Sequence, residues 1–217
     1  MRWKSYGPHA LLVEFAEGLG DIAFERSCAI AKHLEEEPPD GLREFVSGFT
    51  TVLLEFDPER VHDVRDVASG IAGKLERASK RRIAPGPIKE ISVTYDGLDL
   101  QVVATANRIS ISDVCRLHSK PVYKVYMIGF APGFPYLGDL NPKLHTPRLA
   151  SPRPRVPAGS VAIGGEHTGI YTVESPGGWN IVGHTPLRIF DIERATDPSK
   201  EREAFRLKQG DRVKFVT

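Results

Sequence analysis

Glycine and proline interrupt the apolar sequence every few residues from Pro121 onward, and this spacing is the strongest constraint on the fold. Proline lacks a backbone donor and glycine weakens regular structure, so a long helix is disfavoured there. Short strands joined by tight turns remain as the way to build a core. The second half is therefore predicted to form a closed or nearly closed β architecture, ending in a strand over Arg212–Val216.

The first 80 residues differ, because helical and strand periodicities alternate along them. Strands are predicted over residues 9–15, Arg43–Val46 and Thr51–Phe56. A helix capped by Asp21 is predicted after the first strand. A second helix is predicted to start at Asp57-Pro58, since aspartate accepts from free N–H groups and proline is already at helical φ. The order strand, helix, strand, strand, helix predicts a small α+β layer.

The segment Lys80–Pro87 separates these two patterns. It is polar, rich in proline and glycine, and without apolar periodicity, as expected of a linker between domains. We therefore predict a small α+β domain over residues 1–84 and a mainly β domain over residues 85–217.

The start of the second domain contains the last clear periodicities. Alternating apolar residues over positions 91–95 predict a half-buried strand. Helices are predicted over Leu98–Ala106 and Ile111–His118. Ser110 precedes the second of these, and Asp113 three residues later completes a capping-box arrangement.

Charge and composition argue against several classes of protein. A formal net charge of +1 disfavours a nucleic-acid binder that depends on a strong positive field. No apolar run approaches the ~20 residues that cross a bilayer, and Met1–Tyr6 lacks the features of a signal peptide. Cys28 and Cys115 stand far apart without a Cys or His cluster, which favours a reduced protein. A cytoplasmic location is the expectation.

The segment Gly129–Gly138 is the first candidate part of a site. Its prolines and glycines stiffen and bend the backbone, and Phe130, Phe134 and Tyr136 give it apolar faces. Two interpretations stay open. The segment is either the wall of a ligand pocket or a barrel corner whose aromatic rings fill the core.

Arginines follow in a proline-rich stretch, His145–Pro157. A residue before proline is extended, and side chains two apart in an extended segment point the same way. Arg153 and Arg155 are therefore predicted to project together, with Arg148 nearby, as a rigid fork for a carboxylate or phosphate. The alternative is a solvated basic loop.

Residues 158–165 form a glycine-rich segment in which backbone N–H groups can approach a ligand closely. The candidate donors are Gly159, Ser160, Gly164 and Gly165. A strand with a bulge explains the same residues without a ligand.

The last candidate segment contains a turn motif, a tryptophan and two histidines. Ser175-Pro176-Gly177 fits a type II turn, and Trp179 behind it is either core or a stacking surface. His167 and His184 lie among glycine turns and are the preferred proton carriers, although a lone histidine is more often structural. No histidine has metal-ligand spacing, so no metal site is predicted. The usual phosphate loops are absent, so a nucleotide would bind without one or mainly on another chain.

These segments together resemble one family. The resemblance extends over the whole chain, from Tyr6-Gly7 and the apolar stretch Ala10–Phe15 onward. It rests above all on these motifs: Leu117-His118-Ser119, Gly129–Gly138, Thr146-Pro147-Arg148, Val156–Val161, Thr168–Tyr171, Ser175–Trp179 and His184–Leu187. On them the chain is similar to the family that includes the 5-oxoprolinase B-subunit, the sporulation-kinase inhibitor KipI and allophanate hydrolase subunit 1. The resemblance implies an α+β N-terminal domain and a C-terminal domain with a cyclophilin-like β-barrel.

The resemblance also implies an activity, partners and a cofactor. The chain would be one subunit, inactive alone, of an ATP-dependent 5-oxoprolinase that opens the lactam 5-oxoproline to glutamate. An allophanate hydrolase subunit 2-like protein (the 5-oxoprolinase C-subunit) and a further 5-oxoprolinase A-subunit would complete the enzyme. The hypothesis gives anion binding to Arg148, Arg153 and Arg155 and proton transfer or substrate orientation to Tyr136, His167 or His184, and it places Ser175 and Trp179 in the substrate site.

The chain departs from the family pattern at His167, where relatives usually carry glutamine. Imidazole changes charge near neutral pH and an amide does not, so a different substrate or a tuned site is implied. Other functions stay open at this stage: a KipI-like inhibitor of a histidine kinase, an enzyme component that acts on urea- or allophanate-type amides, and, from barrel type alone, a prolyl isomerase.

Overall fold

The computed structural model describes residues 1–200 and 203–217. Its backbone divides into two compact units, Met1–Ala84 and Pro85–Thr217. Among the described residues, no helix is both long enough and apolar enough to span a membrane.

The first unit contains a four-stranded antiparallel sheet. Its strands are β1 (Arg2–Ser5), β2 (Ala10–Glu14), β3 (Leu42–Ser47) and β4 (Thr51–Phe56), in the spatial order β1-β2-β4-β3. Apolar residues alternate along β2 and β4, so one face of the sheet is buried as predicted. The sequence analysis missed β1, because this edge strand is exposed along its whole length and has no apolar alternation.

Two helices complete the first unit: α1 (Asp21–Glu36) and α2 (Arg65–Ala78). The cap of α1 is Gly20 and Asp21 is the first helical residue, so the predicted cap is wrong by one position. The predicted start of α2 at Asp57 is also wrong. The Asp57 carboxylate accepts from the N–H of Glu59 at 2.9 Å, which holds a local turn, and the helix begins only at Arg65.

The second unit is built on a seven-stranded sheet and a small two-stranded sheet. In chain order the strands are β5 (Ile88–Ser92), β6 (Val122–Ile128), β7 (Pro135–Gly138), β8 (Arg153–Val156), β9 (Ser160–Gly164), β10 (His167–Ile170), β11 (Ser175–Gly177), β12 (Asn180–His184) and β13 (Arg212–Val216). The large sheet has the order β12-β9-β10-β7-β6-β13-β5, and β8 pairs with β11.

The large sheet curls so that its two ends are bridged at one point. Thr94, just beyond β5, exchanges two backbone hydrogen bonds of 2.9 Å with His184 at the end of β12. β13 and β5 are parallel, and the other neighbouring strands are antiparallel. The second unit therefore has a curled, half-barrel sheet, in agreement with the predicted β architecture of this half of the chain.

Helices cover part of this sheet: α3 (Leu100–Asn107), α4 (Ile111–Ser119), a 3-10 turn (Pro142–Leu144) and α5 (Ile192–Ala195). The predicted cap of α4 is confirmed, since the N–H of Asp113 donates to Ser110 Oγ at 3.1 Å. The predicted turn at residues 175–177 is wrong. These residues form β11, and Gly177 lacks the positive φ that a type II turn requires at that position.

His118 is fully buried in the core of the second unit and links α4 to β10. Thr168 Oγ1 donates to the carbonyl of Ala162 at 2.9 Å, so it accepts from His118 Nε2 at 2.8 Å. His118 Nδ1 then accepts from the Tyr95 hydroxyl at 2.7 Å. This network fixes the neutral tautomer of His118 that carries its proton on Nε2, and it ties α4 to β10.

Candidate functional site

Four aromatic rings form a cluster on one side of the large sheet. Phe134 packs edge-on against Tyr136, Tyr171 and Trp179, with ring centroids 5.1, 5.3 and 5.4 Å away. Phe134, Tyr171 and Trp179 are buried, whereas Tyr136 is half-buried. Phe134 therefore fills the core, as the core interpretation of this segment predicts, and Tyr136 reaches the surface; the pocket-wall interpretation stays a prediction. Trp179 belongs to the core.

Arg148 covers the Trp179 ring from the solvent side, with its guanidinium carbon 5.7 Å from the ring centroid. Its segment is anchored from two neighbouring elements. Asn180 Nδ2 donates to the carbonyl of Pro147 at 2.8 Å, and the N–H of Leu149 donates to the carbonyl of Gly178 at 2.7 Å. Arg148 is exposed and, within the described residues, forms no salt bridge. It is thus a positioned positive charge without a carboxylate partner.

The positive charge of Arg148 affects the pKa values of three neighbouring groups. Burial raises the pKa of Tyr136, and the charge of Arg148 lowers it in part. Burial lowers the pKa of His167, Glu166 raises it in part, and Arg148 lowers it further. Burial also raises the pKa of Tyr171, whereas the backbone N–H of Trp179 and the charge of Arg148 lower it in part. Near neutral pH, His167 is therefore an uncharged imidazole beside a guanidinium.

The two other predicted arginines do not form a fork with each other. Arg153 Nη2 donates to the buried carboxylate of Asp99 at 2.6 Å. Arg155 donates to the exposed carboxylate of Glu174 at 2.6 and 3.0 Å. The extended backbone was predicted correctly, but the guanidinium groups bind separate carboxylates. Neither guanidinium is therefore left unpaired as part of a shared fork for an external anion.

Asp99 is a functional-site neighbour that the sequence did not reveal. Its side chain receives Arg153 on one oxygen and the N–H of Ile181 on the other, at 2.6 and 2.7 Å. It thereby ties the start of α3, β12 and β8 together, and it neutralises Arg153. Aspartate 54 residues before its arginine partner gives no local sequence signal.

The glycine-rich segment uses its backbone donors internally. The N–H groups of Gly159, Ser160 and Gly165 donate to the carbonyls of Tyr171, Pro157 and Thr146. A Cβ on Gly164 would lie 2.4 Å from the Trp179 ring, so this glycine makes room for the indole. The N–H groups of Gly159, Ser160 and Gly165 are therefore engaged within the chain, which fits the interpretation of a strand with a bulge; a ligand role for this segment stays a prediction.

The remaining candidates, His184 and Ser175, have hydrogen-bond partners of their own. His184 is exposed at the end of β12, and its Nδ1 is 2.8 Å from Asp96 Oδ1. Because a carboxylate only accepts, Nδ1 is the donor in this hydrogen bond. Ser175 is half-buried in β11 and donates weakly to the carbonyl of Val173 at 3.4 Å.

No group of three or more His, Cys, Asp or Glu side chains is placed to hold a metal ion within residues 1–200 and 203–217. The first unit has a groove beside β1 and the start of α1, lined by residues such as Phe15, Leu19, Ile22 and Arg26. None of the predicted site residues lines it. All the predicted site residues lie in the second unit.

The fold and site define a mixed α/β protein with a curled sheet, on which Arg148 lies over an aromatic cluster without a salt bridge to any described carboxylate. The chain belongs to the family described as carboxyltransferase domain, subdomain C and D, whose model matches residues 1–199. It is 36% identical to the 5-oxoprolinase B-subunit of Bacillus subtilis (strain 168) over 227 residues, which cover 98% of this chain and 91% of the relative. It is 50% identical to the 5-oxoprolinase B-subunit of Escherichia coli O157:H7 over 130 residues, 58% of this chain and 56% of the relative. The family resemblance seen in the sequence is confirmed.

Solved structures agree with this placement. Protein TTHA0988 is 40% identical and superimposes with a TM-score of 0.80 over 95% of this chain, which spans only 39% of the TTHA0988 chain. Protein PH0987 from Pyrococcus horikoshii is 38% identical, with a TM-score of 0.54 over 99% of this chain and 96% of its own. The urea amidolyase of K. lactis, at 20% identity and a TM-score of 0.76 over 99% of this chain and 14% of its own, shares the fold.

Proposed function

We propose that this chain is one subunit of an ATP-dependent 5-oxoprolinase, which opens the lactam 5-oxoproline to glutamate. The observation that carries this proposal is the similarity to the 5-oxoprolinase B-subunit of Bacillus subtilis over 98% of this chain and 91% of that relative. The geometry around Arg148 supports it, because the substrate of such an enzyme is a small ring with a carboxylate.

Arg148 is proposed to bind the substrate carboxylate. A guanidinium matches a carboxylate in shape and charge, and it binds an external anion best when no internal carboxylate competes. Arg153 and Arg155 are both neutralised by such partners, whereas Arg148 has none within the described residues. Anchoring of the backbone on both sides of Arg148 limits the entropy lost on binding.

Tyr136 and His167 are proposed to orient the lactam and to move protons. Burial holds the Tyr136 hydroxyl in its protonated form, so it is a hydrogen-bond donor at neutral pH. Burial and Arg148 favour the neutral form of His167, so its imidazole can accept a proton from the attacking water and return it to the ring nitrogen as the C–N bond breaks. Amide resonance protects the lactam carbonyl. ATP would overcome it by transferring a phosphoryl group to the amide oxygen, with release of ADP. Water would then add to the activated carbon, the protonated ring nitrogen would leave, and hydrolysis of the resulting acyl phosphate would give glutamate and phosphate.

The partner subunits are proposed to make most of the contacts to ATP and to cover the site from solvent. Glycine N–H groups that would cradle phosphates are already bonded within this chain. Arg148 is exposed, and a reactive phosphorylated intermediate needs a site that excludes water. In TTHA0988 the matching region is 39% of a longer chain, which fits a fold that works beside further protein. The proposed partners are an allophanate hydrolase subunit 2-like protein (the C-subunit of the enzyme) and an A-subunit.

The division into domains and the barrel type are also proposed. Residues 1–84 and 85–217 are proposed to fold as separate domains, each around its own apolar core. The second is proposed to be a cyclophilin-like barrel, a description that the curled sheet and the Thr94–His184 pairing support.

Reconstitution tests the proposed function. The chain would be purified with its proposed A-subunit and C-subunit, and glutamate formation from 5-oxoproline would be measured together with ATP hydrolysis. We expect turnover only when all three are present. Full turnover without this chain, or no turnover of 5-oxoproline by an assembled complex, would contradict the proposal.

A further inference from the structure

Phe130 is an exposed aromatic ring at the rim of the site, on the loop between β6 and β7. Its side chain is 61% exposed, and its backbone φ is 68°. A positive φ brings Cβ close to the following carbonyl, so residues other than glycine rarely adopt it. An exposed phenyl ring also forgoes the stabilisation of burial. Two unfavourable features meet in one residue, and such residues are concentrated at functional sites.

The loop holds Phe130 rigidly in this position. The N–H of Gly129 donates to the carbonyl of Phe134 at 3.1 Å, and the N–H of Phe134 donates to the carbonyl of Ala131 at 3.0 Å. Thr172 Oγ1 donates to the carbonyl of Pro132 at 2.6 Å. The ring of Phe130 packs edge-on against Phe134, with centroids 5.4 Å apart. The ring is thus displayed by a fixed backbone.

Phe130 and Arg148 lie against the same aromatic cluster. The ring of Phe130 packs on Phe134 and is 6.2 Å from that of Tyr171. Arg148 lies over Trp179, whose ring centroid is 5.4 Å from that of Phe134. A ligand on the exposed side of this cluster can therefore contact both a cation and an apolar ring.

We infer that Phe130 contacts the apolar ring carbons of the substrate while Arg148 binds its carboxylate. The site then selects small cyclic amides that carry one carboxylate, with Phe130 as the residue that recognises the ring. This inference rests on the proposed function and adds a specificity-determining residue to it. Phe130 takes no part in bond breaking, so it acts on substrate binding rather than on the chemical step.

Steady-state kinetics of the assembled complex test this assignment with Phe130→Ala, Phe130→Leu and the control Leu98→Ala. Leu98 is 78% exposed and lies outside the site, so its variant matches the loss of an exposed apolar side chain. We expect Phe130→Ala to raise KM for 5-oxoproline by about tenfold, the scale of a lost apolar contact, with kcat little changed. Phe130→Leu should raise KM less, and Leu98→Ala should leave it unchanged.

Size-exclusion chromatography of each variant with its partners separates substrate recognition from docking. The inference predicts that Phe130→Ala still assembles with the wild-type elution profile. An unchanged KM, or loss of assembly as the cause of a raised KM, would overturn the inference while leaving the proposed function intact. If the wild-type complex does not open 5-oxoproline, the proposed function fails and this inference fails with it.

Discussion

Acid should destabilise the second unit through His118, and the size of the effect follows from its surroundings. Complete burial lowers the pKa of His118 to about 3, because a charged imidazole would lose its hydration there. In the unfolded chain the pKa is about 6.5. The folded state excludes the proton that the unfolded state binds, so the free energy of unfolding falls as the pH drops below about 6.5 and stops falling near 3.

The expected loss between pH 7 and pH 4 is about 3 kcal/mol, with a limiting slope of about 1.4 kcal/mol per pH unit. His118→Phe removes this titration. It leaves the Tyr95 hydroxyl without its acceptor, which should lower stability at pH 7 by about 1–3 kcal/mol. The difference in stability between the wild type and His118→Phe should therefore shrink, and then reverse or vanish, as the pH is lowered.

Urea unfolding followed by tryptophan fluorescence measures this difference. The chain has two tryptophans, so Trp3→Phe leaves Trp179 as a reporter of the second unit. Tyr95→Phe is the matched control, since it removes the hydrogen bond to Nδ1 but keeps a buried imidazole, and it should retain the wild-type acid slope. Parallel pH profiles for the wild type and His118→Phe would refute the reasoning.

Three further results are expected. Gly164→Ala should destabilise the second unit by more than about 2 kcal/mol in urea unfolding, because its Cβ would lie 2.4 Å from the Trp179 ring; near-wild-type stability would show that the indole can move away. Asp99→Leu should cost about 2–4 kcal/mol by leaving the half-buried Arg153 unpaired, and adding Arg153→Met should recover part of that loss; equal stability of the single and double variants would argue against the ion pair. On the acid side, kcat/KM should fall with an apparent pKa below 6.5, since His167 loses its proton-accepting form as the pH falls through its lowered pKa. His167→Gln should abolish this fall. The same fall in the variant would exclude His167 as its source.

Local sequence patterns predicted the regular elements well wherever burial alternates along them. The strand Thr51–Phe56 has the predicted bounds, and so does the last strand, Arg212–Val216. Elements without such alternation escaped, as the exposed strand Arg2–Ser5 shows. Turn chemistry misled where a side chain held a turn instead of capping a helix, as at Asp57. Apolar periodicity indicates which residues are buried. It gives no signal for an exposed edge strand or for a turn that a carboxylate side chain holds.

The site was harder to predict, because its electrostatics depend on residues far apart in sequence. Proline placement correctly gave an extended segment around Arg153 and Arg155. Which arginine stays free for a ligand was decided by Asp99 and Glu174, whose positions are set by the fold. The glycines of residues 159–165 were predicted to serve a ligand, yet their N–H groups and the space above Gly164 serve the sheet and Trp179.

The role of Arg148 is the central claim, and kcat/KM for 5-oxoproline in the complex with its partner proteins tests it most directly. Arg148→Ala should lower kcat/KM by about 10²–10³-fold, the scale of losing one positioned charge donor, and Arg148→Lys should restore part of it. Arg155→Ala, which removes an equally exposed guanidinium already paired with Glu174, should change it by no more than about twofold. Full activity of Arg148→Ala, or an equal loss in both alanine variants, would contradict the assignment of the free guanidinium to substrate binding.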